Sequence, residues 1–389
     1  MRILYFSYCI PKPNLPEGTF IYNRIKELVN QKIDIVPVTS SNLFSTYLSR
    51  KNPFLILKYW GRKYNFRDID LELDLDITNL KKIEYPKYYF NLLFFNNIKQ
   101  IKKKYLSNNC NLVHAHYIRD GIYAYWLKKK YGIPYIVTAH AYDIHTVPMR
   151  NKYLLSITLK VLENSEKSIF VSEMILGIAK KFGYSADNAV IIRNGYNPDN
   201  FYYMPENNNA KKEIVIGFVG DLIKRKRADY LPEILHYVKK RIGRVKLYII
   251  GQGILKNKII TKLEKYNLLN DVLFYGHLDH KKLGKVWNEM DVLLLPSKNE
   301  GFSTVIVESL ACGVPVVASD AEGNKEAVQN CGIIVSQGEY FIKRFSDAII
   351  RIIENPISKD IILKVAKNYT LEDIIKKEIE VYQEALMSF

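Results

Sequence analysis

Cysteine is scarce in this sequence, with four residues in a chain of 389. Cys9, Cys110, Cys312 and Cys331 lie far from one another and form neither a CxxC pair nor a Cys/His spacing typical of a zinc site. The sequence therefore predicts no disulfide framework and no structural metal. It favours four core thiols in a reducing compartment.

Long apolar runs are also missing, since no stretch approaches the roughly 20 apolar residues that a membrane-spanning helix needs. The start of the chain, MRILYFSYCIPKPN, has one arginine and an apolar run cut short by Pro11 and Pro13. This pattern is typical of a first strand and not of a signal peptide. We therefore expect a cytoplasmic protein, with peripheral attachment at the inner face of the cell membrane as an open alternative.

Acidic residues are outnumbered, with 40 against 57 lysines and arginines, which leaves a net charge of +17. Most of the excess falls in residues 1–200, which carry 29 basic and 16 acidic side chains. Such a surface attracts phosphate groups of nucleic acid, of anionic lipid or of a lipid-linked pyrophosphate. Charge alone does not choose among these partners.

Short apolar runs alternate with helical patterns along the whole chain, for example Ile3–Ser7 and Leu112–His116 early and Val292–Leu295 late. This alternation predicts an α/β fold with parallel sheets. It restarts after the polar stretch 205–212, which we interpret as a linker. We expect two Rossmann-like domains, 1–204 and 205–370, facing across a cleft, with the helix 371–389 crossing back onto the first domain.

Residues 43–105 interrupt the first domain with a segment rich in aromatic and basic side chains. A helix with leucine and phenylalanine on one face and lysine on the other would lie well on an anionic membrane. A helix packed on the core with a solvated lysine face fits the same pattern equally well. Both interpretations stay open.

The strongest motif is PSKNEGFSTVIVESLACGVPVVAS, residues 296–319, which places Glu300 and Glu308 on either side of a helix start near Ser303 and Thr304. Free backbone N–H groups at a helix start face an anion well. A carboxylate one turn along, at Glu308, can accept hydrogen bonds from two neighbouring hydroxyls, as on a ribose.

A second motif, GFVGDLIKRKRADYL at 217–231, puts bases between a strand and a helix. Bases near a helix start oppose its dipole and indicate an anionic partner, with Lys226 as the central candidate. In the first half, Gly18 precedes a helix, where a backbone without a side chain can approach a phosphate. His140 follows a predicted strand and would face the crevice.

Together these motifs resemble glycosyltransferase family 4, whose fold is the B-type pair of Rossmann domains. The resemblance implies that Glu300 lies by the donor sugar and phosphate and that Glu308 binds the nucleoside ribose. It also implies that Lys226 neutralises the donor diphosphate and that His140 lines the reaction centre. Backbone amides of the intervening residues would contact the sugar and diphosphate, and these are Gly301, Phe302, Ser303 and Thr304.

The sequence departs from the family pattern at a few positions. Asp221 stands where an arginine is common, so that Lys224 or Arg225 would have to supply that phosphate contact. Glu17 and Glu322 replace glycines in two loops near the donor.

Metal ligands are poorly represented. His114 and His116 form an HAH triplet without an evident nearby carboxylate or cysteine, which makes a poor metal site. The acidic pairs Asp68/Asp70 and Asp74/Asp76 resemble a DxD metal motif. However, they lie in or directly before the alternating run LELDLDI, which is typical of a hairpin and predicts that their side chains are solvated.

The resemblance implies a retaining, metal-independent hexosyl- or N-acetylhexosaminyltransferase without a cofactor. The donor would be a nucleotide-diphosphate sugar. The acceptor would be a saccharide or a lipid-linked saccharide, as in bacterial surface polysaccharide biosynthesis, and no nucleic acid is expected as a partner. Two rival functions stay open: a nucleotide-sugar 2-epimerase of the same architecture, and a non-enzymatic basic binding protein.

Overall fold

The computed structural model describes residues 1–7, 18–41, 78–81, 99, 101–146, 148–150, 152–205, 213–321 and 323–387. Several features singled out in the sequence lie outside these ranges: Cys9, Glu17, Glu322, most of the predicted linker, most of the segment 43–105 and the four aspartates of the DxD-like pairs.

The chain divides into two compact units. The first unit comprises Met1–Val171, Ile175–Ile192 and Ile375–Phe389. The second comprises Ser172–Met174 and Arg193–Ile374. Each unit is built around its own parallel sheet, as the predicted α/β alternation requires.

The first unit contains a parallel sheet of seven strands in the order β3-β2-β1-β4-β5-β6-β7. The central strands are buried along their length, because helices cover both faces of such a sheet. The strands are β1 Arg2–Phe6, β2 Asp34–Ser41, β3 Thr78–Lys81, β4 Leu112–His116, β5 Tyr135–Ala139, β6 Lys167–Phe170 and β7 Ala189–Ile191. The labelled helices are α1 Thr19–Asn30, α2 Ile118–Tyr131, α3 Ala141–His145, α4 Lys152–Glu163 and α5 Glu173–Lys181.

The second unit contains a parallel sheet of six strands in the order β10-β9-β8-β11-β12-β13. Its strands are β8 Ile214–Val219, β9 Val245–Ile250, β10 Val272–Gly276, β11 Val292–Leu295, β12 Val316–Ser319 and β13 Gly332–Val335. Its helices are α6 Leu231–Ile242, α7 Lys256–Lys265, α8 His280–Trp287, α9 Thr304–Ala311, α10 Asn324–Val328, α11 Phe341–Glu354 and α12 Lys359–Ala366. The last helix, α13 Leu371–Met387, begins in the second unit and continues in the first.

The predicted fold class is confirmed, since both sheets are parallel and each has flanking helices. One strand was not predicted. β3 lies inside the aromatic and basic segment, where the sequence TNLK shows no apolar run. No helix within the described ranges has the length and apolar character that spanning a membrane requires.

A buried ion pair joins α13 to α1 inside the first unit. The Arg24 guanidinium donates to the Glu378 carboxylate at 2.6 and 3.0 Å, and both side chains are almost fully buried. The Tyr382 hydroxyl donates to the same carboxylate at 2.6 Å. Burial alone would raise the pKa of Glu378, but Arg24 and these hydrogen bonds lower it to about 2. The carboxylate is therefore ionised at neutral pH.

Glu378→Gln removes the carboxylate charge that faces the buried Arg24 guanidinium. We expect this variant to lose about 3–5 kcal/mol of unfolding free energy, because removing one partner of a buried ion pair is costly. Arg24→Met combined with Glu378→Gln should cost clearly less than the sum of the two single changes, as measured by urea unfolding followed by fluorescence. Additive losses would show that the two side chains are not energetically coupled.

Candidate functional site

Two glycine-bearing loops of the second unit pack directly on each other. A Cβ at Gly251 would lie 2.1 Å from the Gly220 carbonyl oxygen, and one at Gly253 would lie 2.5 Å from the Leu222 carbonyl oxygen. Only residues without side chains permit this approach. The loop after β9 thereby supports the turn after β8, which leads into the basic residues.

The basic residues form a 3₁₀ turn at Lys224–Lys226. The Lys226 Nζ donates to Glu300 Oε1 at 2.5 Å, and both side chains are buried. Arg225 Nη1 lies 3.7 Å from the same oxygen and donates to the Asn299 carbonyl at 3.2 Å. α6 begins only at Leu231, so that the bases precede the helix and do not occupy its first turn.

The charge on Glu300 is maintained by its basic neighbours. Burial raises the pKa of this carboxyl, but the positive charges of Lys226 and Arg225 outweigh burial and hold the pKa below its ordinary value. One carboxylate between two cations leaves one net positive charge. This arrangement suits a ligand that carries more than one negative charge.

Gly323 packs against the loop that carries Glu300. A Cβ at Gly323 would lie 1.5 Å from the Gly301 carbonyl oxygen, and the Gly323 N–H donates to the Glu300 carbonyl at 3.2 Å. The Asn194 side chain donates to the Phe302 carbonyl at 3.0 Å. Three consecutive carbonyls, those of Glu300, Gly301 and Phe302, are thus held by contacts with other parts of the second unit.

The helix α9 begins where the sequence predicted, at Thr304. Ser303 precedes it in an extended conformation, and its side chain does not cap the first turn. The first N–H groups of α9 therefore lack side-chain capping, which leaves a helix start suited to an anion.

Glu308 lies one turn further along α9 and is 7% exposed. No described residue makes a hydrogen bond or an ion pair with its carboxylate, and burial raises its pKa to about 8. A buried carboxyl without partners is costly to ionise unless a ligand supplies hydrogen-bond donors. This side chain is therefore available for a ligand hydroxyl.

The two site residues predicted in the first unit are Gly18 and His140, and a neighbour of Gly18 in sequence contacts His140. Gly18 has a φ of 88° and immediately precedes α1, and its carbonyl accepts hydrogen bonds from the first turn. Two residues on, the ring of Phe20 meets the ring of His140 at 5.5 Å between centroids. His140 precedes α3 and follows β5, as predicted.

His140 is held by two residues that the sequence analysis did not assign to the site. His116 Nδ1 lies 3.3 Å from His140 Nε2, and the Tyr117 ring lies 4.2 Å from the His140 ring. Burial, together with the charge of Arg24 and the proximity of His114, lowers the pKa of His140 to about 3. The imidazole is therefore neutral near pH 7.

Tyr117 has an unusual backbone conformation, with a φ of 72° and a ψ of 145°. This combination is close to a region that glycine alone occupies readily, and it costs about 1–3 kcal/mol for other residues. Its N–H donates to the Thr138 carbonyl at 2.8 Å, and its carbonyl accepts from the Gly121 N–H at 3.0 Å. The sequence offered no signal for this conformation.

The assumption that no carboxylate lies near the HAH triplet was wrong, because a residue distant in sequence supplies one. Glu378 Oε1 lies 3.3 Å from His114 Nδ1, and the two histidines and Glu378 form the one close metal-ligand group among the described residues. However, Arg24 donates two hydrogen bonds to Glu378. A cation there would face a guanidinium, so this group fits a hydrogen-bond network better than a metal site.

Two family models match successive parts of the chain. The family model described as "Glycosyltransferase Family 4" matches residues 18–200, and the one described as "Glycosyl transferases group 1" matches residues 201–369. The chain belongs to glycosyltransferase family 4. The predicted family is thereby confirmed, and the loops described above are those of a family 4 glycosyltransferase.

This family 4 glycosyltransferase resembles several individual proteins. It is 28% identical to a 41.2 kDa protein in the cps region of Klebsiella pneumoniae, over 61% of this chain and 67% of that protein. Among solved structures, Anabaena Alr3699/HepE in complex with UDP and glucose is similar with a TM-score of 0.72 and 16% identity, over 98% of this chain and 99% of that chain. The lipopolysaccharide outer core galactosyltransferase WaaB is similar with a TM-score of 0.72 and 19% identity, over 100% and 99% of the two chains. At these identities the structural likeness shows the fold.

Glu308 should make stability depend on pH. In the folded protein the pKa of Glu308 is raised to about 8. The protonated carboxyl therefore stabilises the fold at low pH, and this stabilisation is lost as the pH rises from the pKa of the unfolded state to that of the folded state. Relative to Glu308→Gln, the wild type should therefore lose stability between pH 5 and 8, at up to about 1.4 kcal/mol per pH unit. Melting temperatures of both proteins across this range measure the difference, and parallel profiles would contradict it.

Proposed function

We propose that this family 4 glycosyltransferase transfers a hexose or N-acetylhexosamine from a nucleotide-diphosphate sugar to a saccharide or lipid-linked acceptor, with retention of anomeric configuration and without a metal. The observation that carries the proposal is the Lys226–Glu300 pair beside an uncapped helix start, with the carboxyl of Glu308 one turn along and without a hydrogen-bond partner among the described residues. Together these groups would bind a diphosphate and a ribose.

The donor diphosphate would lie on the basic turn and the helix start. Lys226 and Arg225 together carry one more charge than Glu300 neutralises, which leaves one net positive charge for the diphosphate. The amides of Gly301–Thr304 add hydrogen-bond donors. Glu308 would accept hydrogen bonds from the ribose hydroxyls and become ionised when they bind. UDP is the first nucleotide to test, because HepE is similar in fold and its structure holds UDP and glucose.

The chemistry follows from the charge that develops on the leaving group. As the bond between the anomeric carbon and the diphosphate oxygen breaks, Lys226 and the amides stabilise the growing negative charge. The acceptor oxygen bonds to the anomeric carbon on the face that the phosphate leaves. The acceptor proton passes to the departing phosphate oxygen, so that no carboxylate base is required.

Glu300 would position the donor and not attack it. Its carboxylate is engaged by Lys226 at 2.5 Å, and the charge of Lys226 lowers its pKa. A carboxylate held by a lysine is a weak nucleophile, but it fixes the direction of the ammonium group. His140, in the first unit, would donate a hydrogen bond to the reacting sugar or the acceptor.

We also propose a role in surface polysaccharide assembly in a bacterium. Two similarities support this class of acceptor: the relative lies in the cps region of Klebsiella pneumoniae, and WaaB is a lipopolysaccharide outer core galactosyltransferase. A lipid-linked acceptor of this class would lie at the cytoplasmic face of the membrane. A peripheral protein in the cytoplasm with a basic surface would reach it.

A lysine-rich concave surface of the first unit suits contact with anionic lipid. It is lined by Lys99, Lys102, Lys103, Leu106, Ser107 and Tyr131. The Lys102 Nζ lies 3.9 Å above the Tyr131 ring, and Leu106 is 55% exposed. Ammonium groups beside exposed apolar groups match the boundary between lipid headgroups and acyl chains.

Flotation with liposomes tests this membrane contact. We expect the wild type to float with vesicles that contain phosphatidylglycerol and not with neutral vesicles, because each lysine near an anionic surface contributes about 1 kcal/mol. Glu substitutions at Lys102 and Lys103 should abolish flotation. Lys343→Glu, which changes an exposed lysine of the second unit, should leave it intact. Equal binding to neutral and anionic vesicles would overturn the idea.

A binding screen tests the donor site. Calorimetry and thermal shift against nucleoside diphosphates and their sugars, with EDTA present, should identify one nucleotide that binds. Glu308→Gln and Lys226→Met should each weaken that binding at least about tenfold, since hydrogen bonds to charged groups contribute about 1.5–3 kcal/mol. Glu339→Gln and Lys343→Met serve as exposed controls from the same unit.

Each result of the screen has a distinct meaning. If no nucleotide binds, the donor site is wrong. If EDTA abolishes binding, metal independence is wrong. If a nucleotide sugar is consumed without any acceptor and yields its 2-epimer, the chain is an epimerase and not a transferase.

A further inference from the structure

The rings of His114, His116 and His140 lie in a row in the first unit. Hydrogen bonds define which nitrogen of His114 is protonated. His114 Nδ1 lies 2.6 Å from the Tyr382 hydroxyl, which itself donates to Glu378. His114 Nδ1 must therefore carry the proton. His114 Nε2 then accepts from the Thr138 hydroxyl at 2.8 Å.

The second and third rings share a single hydrogen bond. His116 Nδ1 and His140 Nε2 are 3.3 Å apart, and only one of these nitrogens can carry the proton in that bond. Burial lowers the pKa of both rings, and positive charge at Arg24 lowers them further. Both imidazoles are therefore neutral, and each has one N–H group.

The environment of His116 decides which nitrogen is the donor. His116 is fully buried, and its Nε2 has no hydrogen-bond partner among the described residues. A buried N–H without a partner is rarer and more costly than a buried acceptor without one. The proton of His116 therefore lies on Nδ1, where it donates to His140 Nε2. His140 must then carry its own proton on Nδ1.

The ring of Tyr117 packs against the ring of His140. Its ring is tilted by 33° to that of His140 at 4.2 Å, and its backbone adopts a conformation that costs free energy. The Asp143 side chain, three residues after His140, accepts the Ile118 N–H at 2.9 Å through Oδ2. The segment after Tyr117 is thus tied to the helix after His140, which fixes the two rings against each other.

We propose that His116 and Tyr117 are positioning residues that hold His140 as a neutral hydrogen-bond donor, with its N–H on Nδ1 available to a sugar hydroxyl. The inference rests on the proposed function, because the sugar is the partner assigned to that N–H group. It adds a defined tautomer and two residues to the site. It also makes His140 a donor in the reaction and not a general base.

The tautomer can be read in the ligand-free protein by long-range ¹H–¹⁵N correlation of ¹⁵N-histidine, with the His140 signals assigned from a His140→Gln sample. We expect a protonated Nδ1 and an unprotonated Nε2 at His140. His116→Asn keeps an N–H donor near the position of the imidazole Nδ1 and should keep this tautomer. His116→Leu removes the donor and should move the proton of His140 to Nε2 or leave a mixture.

We expect kcat to depend on the tautomer of His140. His116→Leu should lower kcat about a hundredfold, as a misplaced catalytic group does, while the donor affinity measured by calorimetry stays within about twofold. His116→Asn should recover most of kcat. Tyr117→Phe should keep kcat near the wild-type value and Tyr117→Leu should lower it about tenfold or more, because only the first retains a ring against His140.

Two results would overturn the proposal. One is a proton on Nε2 of His140 in the wild type. The other is an unchanged tautomer and unchanged kcat in His116→Leu. The tautomer is measured without substrate, so this result stands apart from the outcome of the nucleotide screen, which tests the proposed function itself.

Discussion

The buried ion pair between Lys226 and Glu300 is the interaction on which the proposed donor site depends. Neither charge would be stable alone in the interior, because an unpaired buried ion costs several kcal/mol. Pairing at 2.5 Å lets the chain keep an ammonium group at the end of a short 3₁₀ turn. The partner carboxylate is then fixed beside the start of α9. Arg225 adds the charge that leaves the site positive overall.

Glycines make this pair possible. Gly251 and Gly253 allow the loop after β9 to support the basic turn, and Gly323 allows the loop before α10 to support Glu300. At each position a Cβ would overlap a backbone carbonyl. Close backbone contacts therefore help to place the two loops that carry opposite charges.

Much of the fold and of the second unit's site could be predicted from the sequence. The period of apolar runs predicted parallel sheets, and the motif around Glu300 and Glu308 predicted the helix start at Thr304. Spacing could not show that Lys226 pairs with Glu300, because 74 residues separate them. It could not show that Glu378, from the last helix, completes a network around His114 either. Such contacts depend on how distant elements pack. The positive φ of Tyr117 is a conformation that a tyrosine rarely adopts, so the local sequence does not predict it.

If Lys226 binds a diphosphate and Glu308 binds the ribose, variants of the two residues should differ in the ligands whose binding they weaken. Calorimetry would measure the affinity of Lys226→Met and Glu308→Gln for the nucleoside diphosphate that binds and for its parent nucleoside. We expect Lys226→Met to weaken binding of the diphosphate alone and Glu308→Gln to weaken binding of both ligands. Equal losses of affinity for both ligands in Lys226→Met would show that Lys226 does not bind the diphosphate.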